Sequence, residues 1–220
     1  MFLPQFQKKT YDIRFPLARS MIVAGPSCSG KSHYVTHVIQ NAGQYFDTPP
    51  KCILWYYGEV SPHPQLPGVH YRRGLPSEEE VENMYQCIVV LDDLMWESRS
   101  SDIVGNLFTR VAHHRQCFII HITQNIFQGG KVTRTQSLNA HYLVLFKNPR
   151  DKLQLLYLAR QMYPRQEGFV LDSFKNATQR PYGFLLFDLN ASTPDEIRIR
   201  TMDEDKQNYA FIPTIRDEAE

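Results

Sequence analysis

The sequence predicts an α/β fold, a mostly parallel sheet with helices on both faces. Three observations predict it. Short apolar runs alternate with segments of helical periodicity along most of the chain. The run Ser20–Ala24 passes through a glycine-rich stretch into a helix-periodic segment, the order of a parallel-sheet unit. The run Cys87–Leu91 ends in two acids, Asp92 and Asp93, at the place where parallel strands of such sheets present their site residues. A length of 220 residues suits one domain with a sizeable core, and a net charge of +1 announces no global attraction to nucleic acid.

Taken in order, residues 1–19 read as a lead-in with a basic bias from Lys8, Lys9, Arg14 and Arg19. Residues 20–200 read as the domain, and 201–220 as an acidic, mobile tail. After the first strand, Tyr34, Val35, Val38 and Ile39 share one helix face, which Gly43 can end. Cys52–Tyr57 is an aromatic-rich strand, followed by a proline-rich stretch, Ser61–Pro67, that admits neither helix nor ladder. Ser77 and Glu80 form a capping box before a short helix. Ile103, Val104, Leu107, Phe108, Val111 and Ala112 predict a helix from about Asp102 to His114. Strands Phe118–Ile122 and Tyr142–Phe146 come next, and Asn148 with Pro149 predicts the start of a helix carrying Leu155, Leu158 and Ala159. Tyr182–Phe187 and Glu196–Arg200 close the domain as a C-terminal β hairpin.

The stretch Gly25-Pro26-Ser27-Cys28-Ser29-Gly30-Lys31-Ser32 reads G-x-x-x-x-G-K-S, a phosphate-wrapping loop. Glycines let the backbone bring its N–H groups to phosphate oxygens, Lys31 supplies a point charge, and Ser32 supplies a hydroxyl for magnesium. Asp92, at a strand tip, can hold the metal, and Asp93 can orient or deprotonate an attacking water. Gln124, in Thr123-Gln124-Asn125, has both a donor and an acceptor for the terminal phosphate and that water. His121 reads as a core histidine. Cysteines 28, 52, 87 and 117 show no zinc spacing, so reduced thiols are expected, with Cys28 exposed to reagents that compete with nucleotide. No apolar segment is long enough to span a bilayer, so no membrane partner is expected.

These motifs in this order resemble the FtsK–HerA superfamily of DNA-pumping ATPases. The poxvirus-type genome-packaging branch is the most similar, above all the ATPases of Maverick/Polinton elements and adintoviruses. The resemblance rests on Gly25–Ser32, Ile88–Asp93, His113–Asn125, Ser137–Arg150, Ala159–Pro164 and the Tyr182–Arg200 region. It implies a P-loop NTPase fold of the RecA/ASCE-like kind, with ATP and magnesium as cofactors. It implies a homo-oligomeric ring, hexamer or pentamer, that moves double-stranded DNA into a capsid and meets a capsid or vertex protein. It implies an intracellular setting, the host nucleus or a site of virus assembly. It also implies an arginine reaching the neighbouring subunit's γ phosphate, with Arg115 favoured, Arg110 second, and Arg134 and Arg150 as further candidates. Gln128–Arg134 and Tyr71–Gly74 are basic segments suited to a DNA backbone. Two other readings fit the loop: a nucleoside or nucleotide kinase, and a nucleotide-binding scaffold with little turnover.

Overall fold

A computed structural model describes residues 11–58, 65–94, 102–126, 139–150, 152–203 and 205–213. The first unit is β1 (Ser20–Ala24), the glycine-rich loop and α1 (Lys31–Gln40), followed by α2 (Ala42–Tyr45). Then come β2 (Cys52–Tyr57), β3 (Val69–Arg73), α3 (Glu78–Asn83) and β4 (Cys87–Asp92). Helix α4 comprises Asp102–Asn106, a π-turn at Leu107–Val111 and Ala112–His114. It leads to β5 (Phe118–Thr123) and β6 (Tyr142–Phe146). Helices α5 (Leu153–Met162) and α6 (Glu167–Ala177) precede β7 (Phe184–Asp188), a 3-10 turn at Asp195–Ile197, β8 (Ile199–Met202) and β9 (Asn208–Phe211).

The strands form one sheet in the order β3-β2-β4-β5-β1-β6-β7-β8-β9. The first six run parallel, and β7, β8 and β9 add antiparallel to β6 and to one another. This is the predicted α/β architecture with its C-terminal hairpin. Strand alternation divides the core in two. Met21, Val23, Val90, Ile120 and Val144 pack with Val35, Val38 and Ile39 of α1 and with a ring cluster around Phe15, Phe46 and Phe118. Ile22, Val89, Leu91, Ile119 and Leu143 pack under α3, α4, α5 and α6 through Val81, Leu107, Leu158 and Val170. Burying each such aliphatic side chain contributes roughly 1.5–3 kcal/mol before entropy is counted. Among the described residues, no helix is long and apolar enough to cross a membrane.

Several local expectations change. Helix α1 ends at Asn41, not Gly43, because the Asn41 side-chain amide and backbone N–H both donate to the His37 carbonyl. Gly43 lies inside α2. Asn148 does not cap a helix: its Oδ1 accepts from the Arg150 N–H at 3.1 Å, closing a turn, and α5 starts at Leu153. Tyr71–Gly74 is mostly strand β3 rather than a loop, with Arg72 3.7 Å from Glu80. The segment expected as a tail carries the end of β8 and all of β9, and residues 214–220 lie outside the described residues. So do the proline-rich residues 61–64 and the basic stretch 127–138 with Arg134. Cys52 and Cys87 are not free thiols; they form a disulfide. They sit opposite each other on β2 and β4, with Cα atoms 4.7 Å apart, so the register itself brings the sulfurs together.

Candidate active site

The loop Gly25–Ser32 leaves the carboxyl end of β1 and turns into the N-terminus of α1. Its two motif glycines are required by contact. A Cβ on Gly25 would stand 2.6 Å from the Phe146 Cβ and 2.9 Å from the Ser29 Oγ. Gly30 has φ +105°, and a Cβ there would meet Tyr182 Cδ1 at 2.9 Å. Cys28 takes a left-handed backbone, φ 60°, and its thiol is exposed. Such a run of backbone turns its N–H groups inward, and the first turn of a helix has free donors of its own.

Lys31 folds back over this loop. Its Nζ donates to the Gly25 carbonyl at 2.7 Å and the Pro26 carbonyl at 2.9 Å. Burial lowers its pKa, while Asp92, Asp93 and Cys28 act in the other direction. Asp92 is the last residue of β4 and is buried. Burial pushes its carboxyl up to about 6; Asp93 adds to the rise, whereas the Trp55 indole nearby and the Lys31 ammonium oppose it. Asp93 follows with φ 50°, exposed, and its carbonyl oxygen would stand only 2.6 Å from a Cβ on Gly58. The Gly58 N–H donates to the Asp92 carbonyl at 3.2 Å. Gly58 therefore lets the chain turn sharply after the acid.

The sheet order explains how distant segments meet. Asp92 pairs with Ile122 of β5, and Ile122 pairs with Val23 of β1. Gln124 therefore emerges between the acid-bearing strand and the phosphate loop. It is exposed and lines, with Gly25, a cavity of about 580 Å³ that reaches Leu155 and Phe174. Its neighbours are pinned: the Thr123 hydroxyl donates to the Asn125 carbonyl at 3.1 Å, and the Gln154 amide donates to Asn125 Oδ1. The structure thus brings the loop, Asp92, Asp93 and Gln124 to one end of the sheet. His121 is buried beside Phe108, within the core as expected.

Arg115 and Arg110 are not part of this cluster. Arg115 caps the end of α4, just before β5, and both side chains are exposed. The six residues of β5 separate that end from Gln124 by roughly 20 Å. Arg150 instead follows the carboxyl end of β6, at the loop's end of the sheet.

The loop fits an anionic phosphate group on grounds of its own. Ser29 Oγ, within the loop, is buried with no hydrogen-bond partner among the described residues, a polar atom that a phosphate oxygen or its hydration could satisfy. No cluster of three or more metal-ligating side chains occurs among the described residues. Ser32, in the first turn of α1, and Asp92, at the end of β4, carry oxygen donors of the kind that could hold a magnesium ion. Trp55, Gly58, Phe146, Gln154 and Tyr182 escaped sequence reasoning. Gly58, standing directly after an aromatic strand, is the signal among them that could have been read.

No protein-family model and no curated protein sequence matches the chain. Solved structures do. The genome packaging NTPase B204 from Sulfolobus turreted icosahedral virus 2, in complex with AMPPCP, is 13% identical with a TM-score of 0.51. That likeness covers 83% of this chain and 96% of that one. The same protein with ATP-gammaS gives 14% identity and 0.51, covering 83% and 95%. B204, the DNA-packaging ATPase from Sulfolobus turreted icosahedral virus, gives 11% identity and 0.52, covering 91% and 100%. At this identity the likeness is one of fold.

Proposed function

We propose that the chain is a magnesium-dependent ATP hydrolase that drives double-stranded DNA into a capsid as a homo-oligomeric ring. One observation carries the hydrolytic reading: the loop Gly25–Ser32, Asp92 and Gln124 converge at the carboxyl ends of the neighbouring strands β1, β4 and β5. The loop N–H groups and Lys31 hold the phosphates, and Ser32 and Asp92 are the residues to hold magnesium. When bound, that ion neutralises charge on the phosphate oxygens. Asp93 accepts a proton from the attacking water or orients it, and Gln124 hydrogen-bonds that water and the terminal phosphate. Arg115, with Arg110 as second choice, is assigned to the neighbouring subunit's site, because its place beyond the amino end of β5 keeps it from its own.

The packaging part of the reading is supported by the fold shared with the B204 proteins and by the motif order that resembles the FtsK–HerA poxvirus-type branch. A capsid or vertex protein is the further partner. The test is ATP turnover with and without double-stranded DNA, beside a mass measurement of the assembly. We expect DNA-stimulated phosphate release from a ring, with Asp93→Asn still binding ATP but losing turnover. Transfer of the labelled phosphate to a nucleoside would overturn the reading in favour of a kinase. Turnover no faster than that of Asp93→Asn, with DNA present, would leave a nucleotide-binding scaffold.

A further inference from the structure

Tyr182 is an exposed aromatic residue, 66% accessible, in a left-handed backbone conformation with φ 61°. The left-handed backbone is uncommon for tyrosine, and the turn around it holds it there. The next residue, Gly183, donates its N–H to the Arg180 carbonyl at 3.2 Å. A Cβ on Gly183 would strike the Ala177 carbonyl, so this turn sits directly on the end of α6. The turn presses Tyr182 against the last glycine of the phosphate loop: Cδ1 and Cβ lie 2.9 and 3.0 Å from where a Gly30 Cβ would be. Gly30 is thus needed twice, for its own φ and for the tyrosine beside it.

The ring borders an open cavity of about 230 Å³, lined also by Gly30, His33, Arg180 and Pro181. Whole-ligand pockets run roughly 300–1,000 Å³, so this one suits a base whose phosphates lie outside it. The direction of the phosphate chain places a base here. Within α1, the Tyr34 N–H bonds to the Gly30 carbonyl at 2.9 Å, so the N–H groups of Lys31, Ser32 and His33 have no acceptor inside the helix. The terminal phosphate is drawn to the β4–β5 side, where Asp92 and Gln124 stand. The nucleoside then leaves on the other side of β1, past His33. In the order β4-β5-β1-β6-β7, Tyr182 directly precedes β7, on that side.

We infer that Tyr182 is the stacking platform for the base of a purine nucleoside triphosphate, and that the Arg180–Gly183 turn holds it flat over the phosphate loop. This rests on the phosphate role of Gly25–Ser32 proposed above. An aromatic face stacks on a purine through dispersion and a complementary quadrupole, and it favours the larger ring system over a pyrimidine.

Binding to the full chain tests this by calorimetry, with ATP and with inorganic tripolyphosphate as separate probes. Tyr182→Ala is expected to weaken ATP about tenfold, the loss of one aromatic stack, and to leave tripolyphosphate unchanged. Tyr182→Trp should restore ATP binding, and its indole fluorescence should be quenched by ATP but not by tripolyphosphate. Equal weakening of both probes would mean that the side chain merely supports the loop, and would overturn the inference. So would an unchanged ATP affinity in Tyr182→Ala. The underlying phosphate reading fails separately, if Lys31→Ala leaves tripolyphosphate binding intact.

Discussion

At the amino ends of β1 and β6, the buried groups around Asp188 are matched, although Arg19 Nε is buried with no partner among the described residues. Asp188 and Arg200 pair at 3.0 Å with side chains 5% and 7% exposed. Asp188 also accepts from the Asn190 backbone and side-chain amides, at 3.1 and 2.7 Å. Arg198 donates to the carbonyls of Asp188, Asn190 and Thr193. At the carboxyl ends of β1 and β4 the same kinds of group are mismatched. Asp92 is buried at a cost in its charged form, Lys31 is held by loop carbonyls, Ser29 Oγ has no partner among the described residues, and Cys28 and Asp93 hold left-handed backbones. One end of the sheet stabilises the fold, and the other carries the burial cost and backbone strain that the proposed nucleotide site would offset.

That contrast is broken most directly by Arg200→Ala. It leaves the Asp188 carboxylate buried without its cation, which should cost roughly 3–5 kcal/mol in denaturant unfolding. ATP affinity measured by calorimetry should stay the same. If the affinity fell in step with stability, the two ends would not be separable. Lys31→Ala is the converse: binding of ATP should weaken by about a hundredfold or more, since each charge-assisted contact to phosphate contributes roughly 1.5–3 kcal/mol. Its unfolding midpoint should hardly move.

Asp92→Asn sharpens the comparison, because function and stability should part company. The folded carboxyl titrates at about 6 against an ordinary 3.8. The unfolded chain therefore ionises first, and stability falls as pH rises from about 4 to 6 and then levels off. Removing the charge should stabilise the ligand-free protein by up to about 3 kcal/mol at pH 8 and by nothing at pH 4. Magnesium-dependent ATP binding should weaken in the same variant. Equal unfolding curves at pH 8 would show that the buried acid carries no such cost.

Much of the matched and mismatched pattern could be read from the chain before any coordinates. Apolar runs with a period of two or 3.6 give the parallel strands and α1, because burial dictates both the run and the period. The motif glycines and acids mark the mismatched end in the sequence, because their spacing is the pattern of a phosphate-wrapping loop. What stayed hidden depends on contacts between segments remote in sequence. Trp55 reaches Asp92 only through the β2–β4 register, and the same register joins Cys52 to Cys87. Strand β9 has a weak pattern of its own and exists because β8 offers it an edge. Asn148 looked like a helix cap because an Asx turn and an N-cap use the same side-chain oxygen.

The matched end should show one weakness, and it is small. His141 Nδ1 accepts the Ser20 backbone N–H at 3.2 Å and lies 3.0 Å from the Ser20 hydroxyl, which itself donates to the Asn139 carbonyl. That contact requires an unprotonated Nδ1. Burial, chiefly, with Arg19 and His113 beside it, lowers its pKa to about 4 from 6.5, while Asp188 pulls the other way. Below pH 6.5 the unfolded chain therefore takes a proton that the folded one refuses. The contribution is complete above 6.5 and is lost as pH falls toward 4. His141 is half-buried, so solvent screens part of the effect, and the loss by pH 5 should be about 1 kcal/mol. His141→Asn, which keeps an acceptor without titrating, should narrow its stability gap to the unaltered protein between pH 7 and pH 5. Parallel urea midpoints across that range would show that the matched end also tolerates the proton, and the contrast between the two ends would then extend to acid.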